Sequence, residues 1–342
     1  MWIVRQIEAK DFENYESMAF KAHVGVTSLP KDHKHLKEKL SKAIKSFNGT
    51  LENPKEKIFL FVLENEETKE IVGISGINAS TGAHNPLFFY NIQKETRETS
   101  IDKISKELLL LVPITVQQPY SELCSLYLLP EKRKAGLGHL LSFSRMLFIA
   151  DNAEFFEEKM TAVIRGMTDD KDYSPFWQAT GRPFFNVDFV TLASMMSCDK
   201  TFVPQFLPRH PIYASLLSQE AQEAIGEPHI RSRPALEMLL HEGFQKTNDI
   251  DIMDGGPRIE AHTSQLHTIK NSYQAIVDNI DREISNETAY LISRPFPTFR
   301  ACLGSLIRVT PEHVVVSEAT AKALDIKIGS SIRYAPNLQI KA

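Results

Sequence analysis

The chain has 342 residues, 42% hydrophobic and 24% charged, and its 39 basic side chains face 43 acidic ones for a formal charge of −4. This is the balance of a globular protein with a sizeable core, long enough for two domains or one with an appendage. It lacks the basic excess on which nucleic-acid or anionic-membrane binding draws. Cys124, Cys198 and Cys302 stand far apart and form no C-x-x-C pair. Neither a disulfide framework nor a metal site is expected, and the setting expected is reducing and cytoplasmic. The longest apolar runs, residues 58–63 and 108–112, are far shorter than the ~20 residues of a membrane span. The N-terminus turns polar by Arg5 and does not read as a signal peptide.

Residues 3–7 are an expected strand. It leads at Asp11, a candidate N-cap, into a helix with Phe12, Tyr15, Ala19 and Ala22 at helical spacing. A lysine-rich helix over 32–47 follows, its apolar stripe formed by Leu36, Leu40, Ile44 and Phe47. Residues 58–63 and 71–77 read as an antiparallel hairpin across a charged connector. Residues 80–121 read as an insertion with additional strands. A strand over 122–129 is ended by Pro130, and a helix begins near Gly136. Next come a strand at 160–164 and a short aromatic helix at 173–180 entered through Pro175. Helices at 214–225 and 234–241 flank Gly226-Glu227-Pro228-His229. The stretch 249–260 is a strand that turns at Asp254-Gly255-Gly256-Pro257. Beyond 262 a polar helix is expected over 264–283, then β segments at 301–309, 313–316 and 331–334. The expected division is an α+β core over 1–262, a helical connector over 263–290 and a small β-barrel-like module over 291–342.

The stretch carrying chemistry runs Leu126-Tyr127-Leu128-Leu129-Pro130-Glu131-Lys132-Arg133-Lys134-Ala135-Gly136-Leu137-Gly138-His139-Leu140-Leu141. It reads as strand, charged turn, two glycines one residue apart, then helix. Unpaired amides at a helix start lie at the positive end of the helix dipole, and glycines there let a pyrophosphate approach the main chain. Leu141 occupies the third glycine position of a dinucleotide fingerprint, which disfavours that fold, and no Walker phosphate loop is present. The remaining form, R-x-x-G-x-G from Arg133 to Gly138, resembles the pyrophosphate loop of the GNAT superfamily of N-acetyltransferases, which binds acyl-coenzyme A. The phrase Ala235-Leu236-Glu237-Met238-Leu239-Leu240-His241-Glu242-Gly243-Phe244 looks like the late helix-to-strand passage of that superfamily. The fold expected from the resemblance is a GNAT-like α+β core with a mixed, mostly antiparallel sheet.

A tighter resemblance rests on Val26-Thr27-Ser28-Leu29-Pro30, Ser121-Glu122-Leu123-Cys124, Tyr173-Ser174-Pro175-Phe176-Trp177-Gln178, His210-Pro211-Ile212-Tyr213 and Asp249-Ile250-Asp251-Ile252-Met253-Asp254-Gly255-Gly256-Pro257. These resemble the bacterial arginine N-succinyltransferase family, the C-terminal part more loosely. The resemblance implies succinyl transfer from succinyl-CoA, a co-substrate rather than a bound cofactor, to the α-amine of L-arginine. It implies that Leu126 contacts the acyl-CoA and that His229 is the proton donor. Leu128, Arg133, Lys134, Gly136, Leu137 and Gly138 are the further acyl-CoA candidates.

Those roles fit the chemistry. An amine attacking a thioester must lose a proton, the tetrahedral oxyanion needs donors, and no covalent enzyme intermediate is required. Asp249, Asp251 and Asp254 are candidates for the guanidinium of arginine, against a role as a solvated strand edge. Trp177 is carried as a substrate contact against a core role, and Cys124 reads as a small core residue. The rivals are the same transfer to ornithine or another amine, and a non-catalytic acyl-CoA or arginine sensor. The partners expected are these small molecules, with no nucleic acid and no membrane. Association with like or related chains stays open.

Overall fold

The computed structural model describes residues 1–83, 86–98, 105–133, 136–282, 284, 289–310 and 312–337. The strands are β1 (Trp2–Gln6), β2 (Ile58–Asn65), β3 (Ile71–Thr81), β4 (Leu87–Glu98), β5 (Ser105–Val116), β6 (Tyr120–Leu128), β7 (Lys159–Val163), β8 (Ile212–Tyr213), β9 (Gln245–Asp251), β10 (Pro257–His262), β11 (Tyr273–Asp281), β12 (Tyr290–Arg294), β13 (Arg300–Gly304), β14 (Leu306–Thr310), β15 (His313–Ser317) and β16 (Ser331–Pro336). The helices are α1 (Phe12–Lys21), α2 (His33–Phe47), α3 (Leu137–Asp151), α4 (Pro175–Thr180), α5 (Arg182–Phe185), α6 (Phe189–Cys198), α7 (Val203–Phe206), α8 (Gln219–Glu223), α9 (Arg233–Glu242), α10 (His267–Lys270) and α11 (Glu318–Leu324).

Hydrogen bonding joins the strands in the order β14-β15-β11-β16-β12-β13-β1-β2-β3-β6-β7-β10-β9-β4-β5-β8. The sheet is mixed and mostly antiparallel. Among the described residues the parallel neighbours are β6 with β7 and β11 with β15. β2 shows why residues 58–63 are apolar at every position rather than at alternate ones. Leu60 and Val62 face Tyr15, Leu36 and Leu40 of α1 and α2, while Phe59, Phe61 and Leu63 pack with Leu147 and Phe148 of α3. A strand covered on both faces has no solvent side for polar residues. The 80–121 stretch holds the long β4–β5 hairpin, paired from Leu87↔Val116 to Glu98↔Ser105. It is joined to the rest through β9, so the expected 249–260 strand is in fact the two-stranded turn β9–β10.

Three expectations need correction. Asp11 does not cap α1 with its side chain. Its carboxylate is held by the Arg5 guanidinium at 2.7 and 2.9 Å, and Arg5 also reaches Glu64 at 2.5 Å. The 263–290 stretch is not a helical connector, because the short α10 is followed by β11, whose residues alternate between buried Ala275 and Val277 and exposed neighbours. The C-terminal strands do not close into a barrel among the described residues. They continue the main sheet through β13, with Cys302 opposite Ile3 of β1. Between 181 and 211 the structure holds α5, α6 and α7, helices that sequence spacing did not mark.

Arg5→Met leaves Asp11 buried without a cation and Glu64 with only the exposed Lys69 at 3.7 Å, and is expected to cost about 3–5 kcal/mol in urea unfolding. Lys42→Met, at a solvent-exposed pair with Glu56, is expected to cost no more than about 1 kcal/mol. Equal midpoints for the two variants would show that the buried cluster contributes little.

Candidate active site

The site begins where two parallel strands part. β6 and β7 are paired only at Ser121↔Met160 and Glu122↔Thr161. Beyond those positions residues 123–126 and 162–165 line opposite walls of a cavity. β6 is also bulged there. Ile74 pairs with Tyr127 and Gly76 with Cys124, so Ser125 and Leu126 together oppose Ser75. A bulge interrupts the ladder and re-aims the chain. Ser125 has a positive φ of 54°, a strained setting for a non-glycine residue. The 26–30 loop clamps it. The Ser125 N–H donates to Ser28 Oγ at 2.9 Å, its hydroxyl donates to the Ser28 carbonyl at 3.0 Å, and Lys39 Nζ donates to both Ser125 Oγ and the Ser28 carbonyl.

Outside this bulge lies a cleft of about 660 Å³. Leu126, Leu128 and Arg133 line it together with Gly136, Gly138 and the His139 ring at the start of α3. Gly136 is the N-cap residue of α3 with φ 75°, a left-handed conformation that favours glycine. A Cβ built on Gly138 would meet nothing within 4 Å, so the main chain there borders open space. The first turn of α3 carries no acidic residue and no side-chain cap. The helix therefore presents uncapped amides to the cleft, the arrangement that receives phosphate elsewhere. Leu137 points the other way, buried in the core beside Leu140 and Leu141. Lys134 lies outside the described residues.

Inside the bulge is a smaller cavity of about 200 Å³ carrying charge of both signs. Arg145 of α3 reaches it fully buried, its guanidinium donating to the Ser142 and Gly76 carbonyls and to Ser142 Oγ. Burial pushes the Arg145 pKa down to about 10. Asp251 and Asp254, at the β9–β10 turn, form an acidic pair that also lines it. Both are raised, chiefly by burial, and the like charge of Asp251 adds to the effect at Asp254. Cys124 also borders this cavity, but burial raises its thiol away from a reactive thiolate. The two cavities share Val26, Leu126, Arg165, Ser232 and Ala235 as walls.

His229 is buried beside this junction. Its N–H donates to the Arg165 carbonyl at 2.9 Å, and its Nδ1 accepts the Arg231 N–H at 3.1 Å. With Nδ1 accepting, the neutral ring carries its proton on Nε2. Burial first, then Arg165, His23 and Arg231, lower its pKa to about 4. His229 is not itself among the side chains lining either cavity. His23, whose ring centroid is 6.2 Å away, lines the outer cleft.

Two sequence candidates are spent elsewhere. Asp249 is bonded to Arg258 at 2.6 Å and to Asn91 at 2.7 Å, and borders neither cavity. Trp177 is buried against Phe185, with its indole N–H on the Val187 carbonyl at 3.0 Å. Sequence reasoning missed His23, Arg145, Arg165 and the Lys39–Ser28–Ser125 clamp. The conspicuous Val26–Pro30 phrase was the available signal for the clamp. The arginines carried none, since one lies in an apolar helix and the other just past a strand end.

A family model described as the arginine N-succinyltransferase beta subunit matches residues 2–268. Arginine N-succinyltransferase of Yersinia pestis is 33% identical over 341 residues, covering 97% of each chain. That of an Escherichia coli strain is 35% identical over 338 residues, also with 97% of each covered. The solved structure of the arginine/ornithine succinyltransferase subunit AI of Pseudomonas aeruginosa superposes with a TM-score of 0.86 at 30% identity, covering 98% of each chain.

The His229 ring is expected to titrate by NMR near pH 4 rather than at its ordinary 6.5. Its folded pKa lies below its unfolded one, so its contribution to stability is full above 6.5 and is lost as the pH falls toward 4. A polyanion such as CoA offsets Arg165 and Arg231 and is expected to raise the midpoint. An ordinary midpoint in the free protein would show that the ring is not held among these cations.

Proposed function

The chain belongs to the arginine N-succinyltransferase family, and from that premise we propose that it transfers the succinyl group of succinyl-CoA to the α-amine of L-arginine. The supporting observation is the wedge between β6 and β7, which joins a cleft over the uncapped start of α3 to a charged inner cavity. In this reading the pyrophosphate lies over Gly136 and Gly138, with Arg133 beside it, and the acyl thioester runs past Leu128 and Leu126 to the bulge. In this reading main-chain N–H groups of 126–128 polarise the thioester carbonyl, the Ser125 N–H being held by Ser28.

The deprotonated α-amine attacks the thioester carbon. The tetrahedral intermediate collapses with loss of the thiolate, and the proton shed by the amine balances the one the thiol takes up. His229 is the proposed proton-handling group. As a neutral ring in the free enzyme it offers Nε2–H as a hydrogen-bond donor, and it takes up a proton at Nδ1 only by releasing the Arg231 N–H. Bound phosphates move it toward that state by offsetting the neighbouring arginines. Asp251 and Asp254 are the proposed receptor for the acceptor's side-chain cation. A buried acidic pair held partly protonated ionises readily when a guanidinium enters. An ornithine ammonium satisfies the same pair less well for want of a bidentate fork, although the Pseudomonas neighbour is described for both amino acids. That neighbour's description as a subunit supports association of like or related chains, and the cysteine usage supports a cytoplasmic setting.

His229→Ala is expected to lower kcat by about 10²–10⁴-fold while CoA affinity changes little. Free-thiol release from succinyl-CoA measures the first and calorimetry the second. Unaltered turnover would remove His229 from the reaction, and absence of thiol release from the unmodified protein with arginine would favour a binding-only sensor. Gly138→Val fills the open space over the helix entrance. It is expected to raise KM for succinyl-CoA about tenfold or more, with KM for arginine little changed.

A further inference from the structure

One buried cation at the throat between the two cavities is only partly paired within the protein. The Arg165 side chain is only 7% exposed. One end of its fork, Nη2, donates to Thr168 Oγ1 and lies 3.4 Å from Asp172 Oδ1. Its Nε–H is buried and has no hydrogen-bond partner among the described residues. A buried donor of a charged group left unmade costs free energy, and native structures keep few of them. The space in front of it is kept open by the backbone. Gly25 adopts a φ of +95°, and a Cβ built on it would stand 3.4 Å from Arg165 Nε and 3.7 Å from Asp254 Oδ2. Gly25 lines the inner cavity, and Arg165 lines both. The unpaired Nε–H therefore belongs to a residue at the point where the cleft and the inner cavity meet, next to the main-chain tie to His229.

We propose that Arg165 is the receptor for a substrate carboxylate at this throat. A buried, unpaired guanidinium N–H matches a carboxylate oxygen in charge and in hydrogen-bonding capacity. The assignment rests on the succinyl-transfer reading, because both substrates of that reaction carry a carboxylate within a few bonds of the reacting atoms. One is the α-carboxylate of the amino acid, adjacent to the attacking amine. The other is the distal carboxylate of the succinyl chain. Either would fill the gap beside Gly25, and Asp254 on the far side of it would exclude a second anion. Arg165 thereby selects a charged substrate rather than taking part in bond making.

The test uses free-thiol release with two analogues, each lacking one carboxylate: argininamide paired with succinyl-CoA, and butyryl-CoA paired with arginine. In the unmodified protein one of these is expected to lose roughly 100-fold in kcat/KM, which identifies the source of the carboxylate. In Arg165→Met that preference collapses toward unity, because the natural substrate falls to the level of its analogue, while the other preference is retained. Arg165→Lys keeps the charge without the fork and is expected to restore part of the preference. It also serves as the readout should the methionine variant fail to fold. An unmodified protein that uses both analogues as well as the natural substrates would overturn the assignment, as would an Arg165→Met that loses the same factor on charged and uncharged substrates. Those results would leave succinyl transfer standing. Absence of thiol release from succinyl-CoA with arginine would instead remove the reaction itself, and the assignment with it.

Discussion

Two parallel strands that stop hydrogen-bonding after two residue pairs are the constraint on which this molecule's site depends. Parting strands in the middle of a sheet expose main-chain groups that must find other partners. Here one strand is bulged at the parting, and a loop of the N-terminal segment holds the bulge through two serines and a lysine. The opening is thus a built feature, supported by α3 on one side of the sheet and by α1 and α2 on the other. The same helix that covers the sheet also supplies the uncapped amides of the outer cleft and the buried Arg145 of the inner cavity.

Charge at the junction follows from burial. Arg165, Arg231 and the two neighbouring histidines crowd one side, and burial first, then the arginines, lower the pKa of both rings despite Asp170 and Asp172 nearby. Asp251 and Asp254 line the inner cavity and are pushed upward in turn. Each cluster is costly in the empty protein and is relieved by a ligand of opposite sign. A zwitterionic acceptor and an anionic thioester bring both signs. The free enzyme's unfavourable electrostatics are in this way a description of what it binds.

Much of the fold was legible because the signals were local. The β2–β3 hairpin, the helix after Gly136 and the α9-to-β9 passage each carry their own periodicity or punctuation, as in the left-handed Gly243 that ends α9. Elements that failed were those whose environment came from elsewhere in the chain. β11 has polar outward residues that read as a helix face until β15 and β16 are placed beside it. Asp11 looked like a cap because nothing near it in sequence announced that Arg5 would claim its carboxylate. Asp249 and Asp251, two residues apart on one strand, had the same reading, yet only the first has Arg258 within reach on β10.

From the sequence alone came the phosphate-type turn at Gly136 and Gly138, the position of Leu126 on the strand before it and the family resemblance that singled out His229. These depend on residue type and near spacing, which a linear reading preserves. Tertiary structure alone decided that the Val26–Pro30 loop clamps a bulge, that His23 stands 6.2 Å from His229 and lines the cleft, and that Arg145 and an incompletely paired Arg165 arrive at the inner cavity. These are properties of distant segments meeting in a medium from which water has been excluded. Charge and hydrogen-bonding capacity acquire their meaning there only once the neighbours on every side are in place.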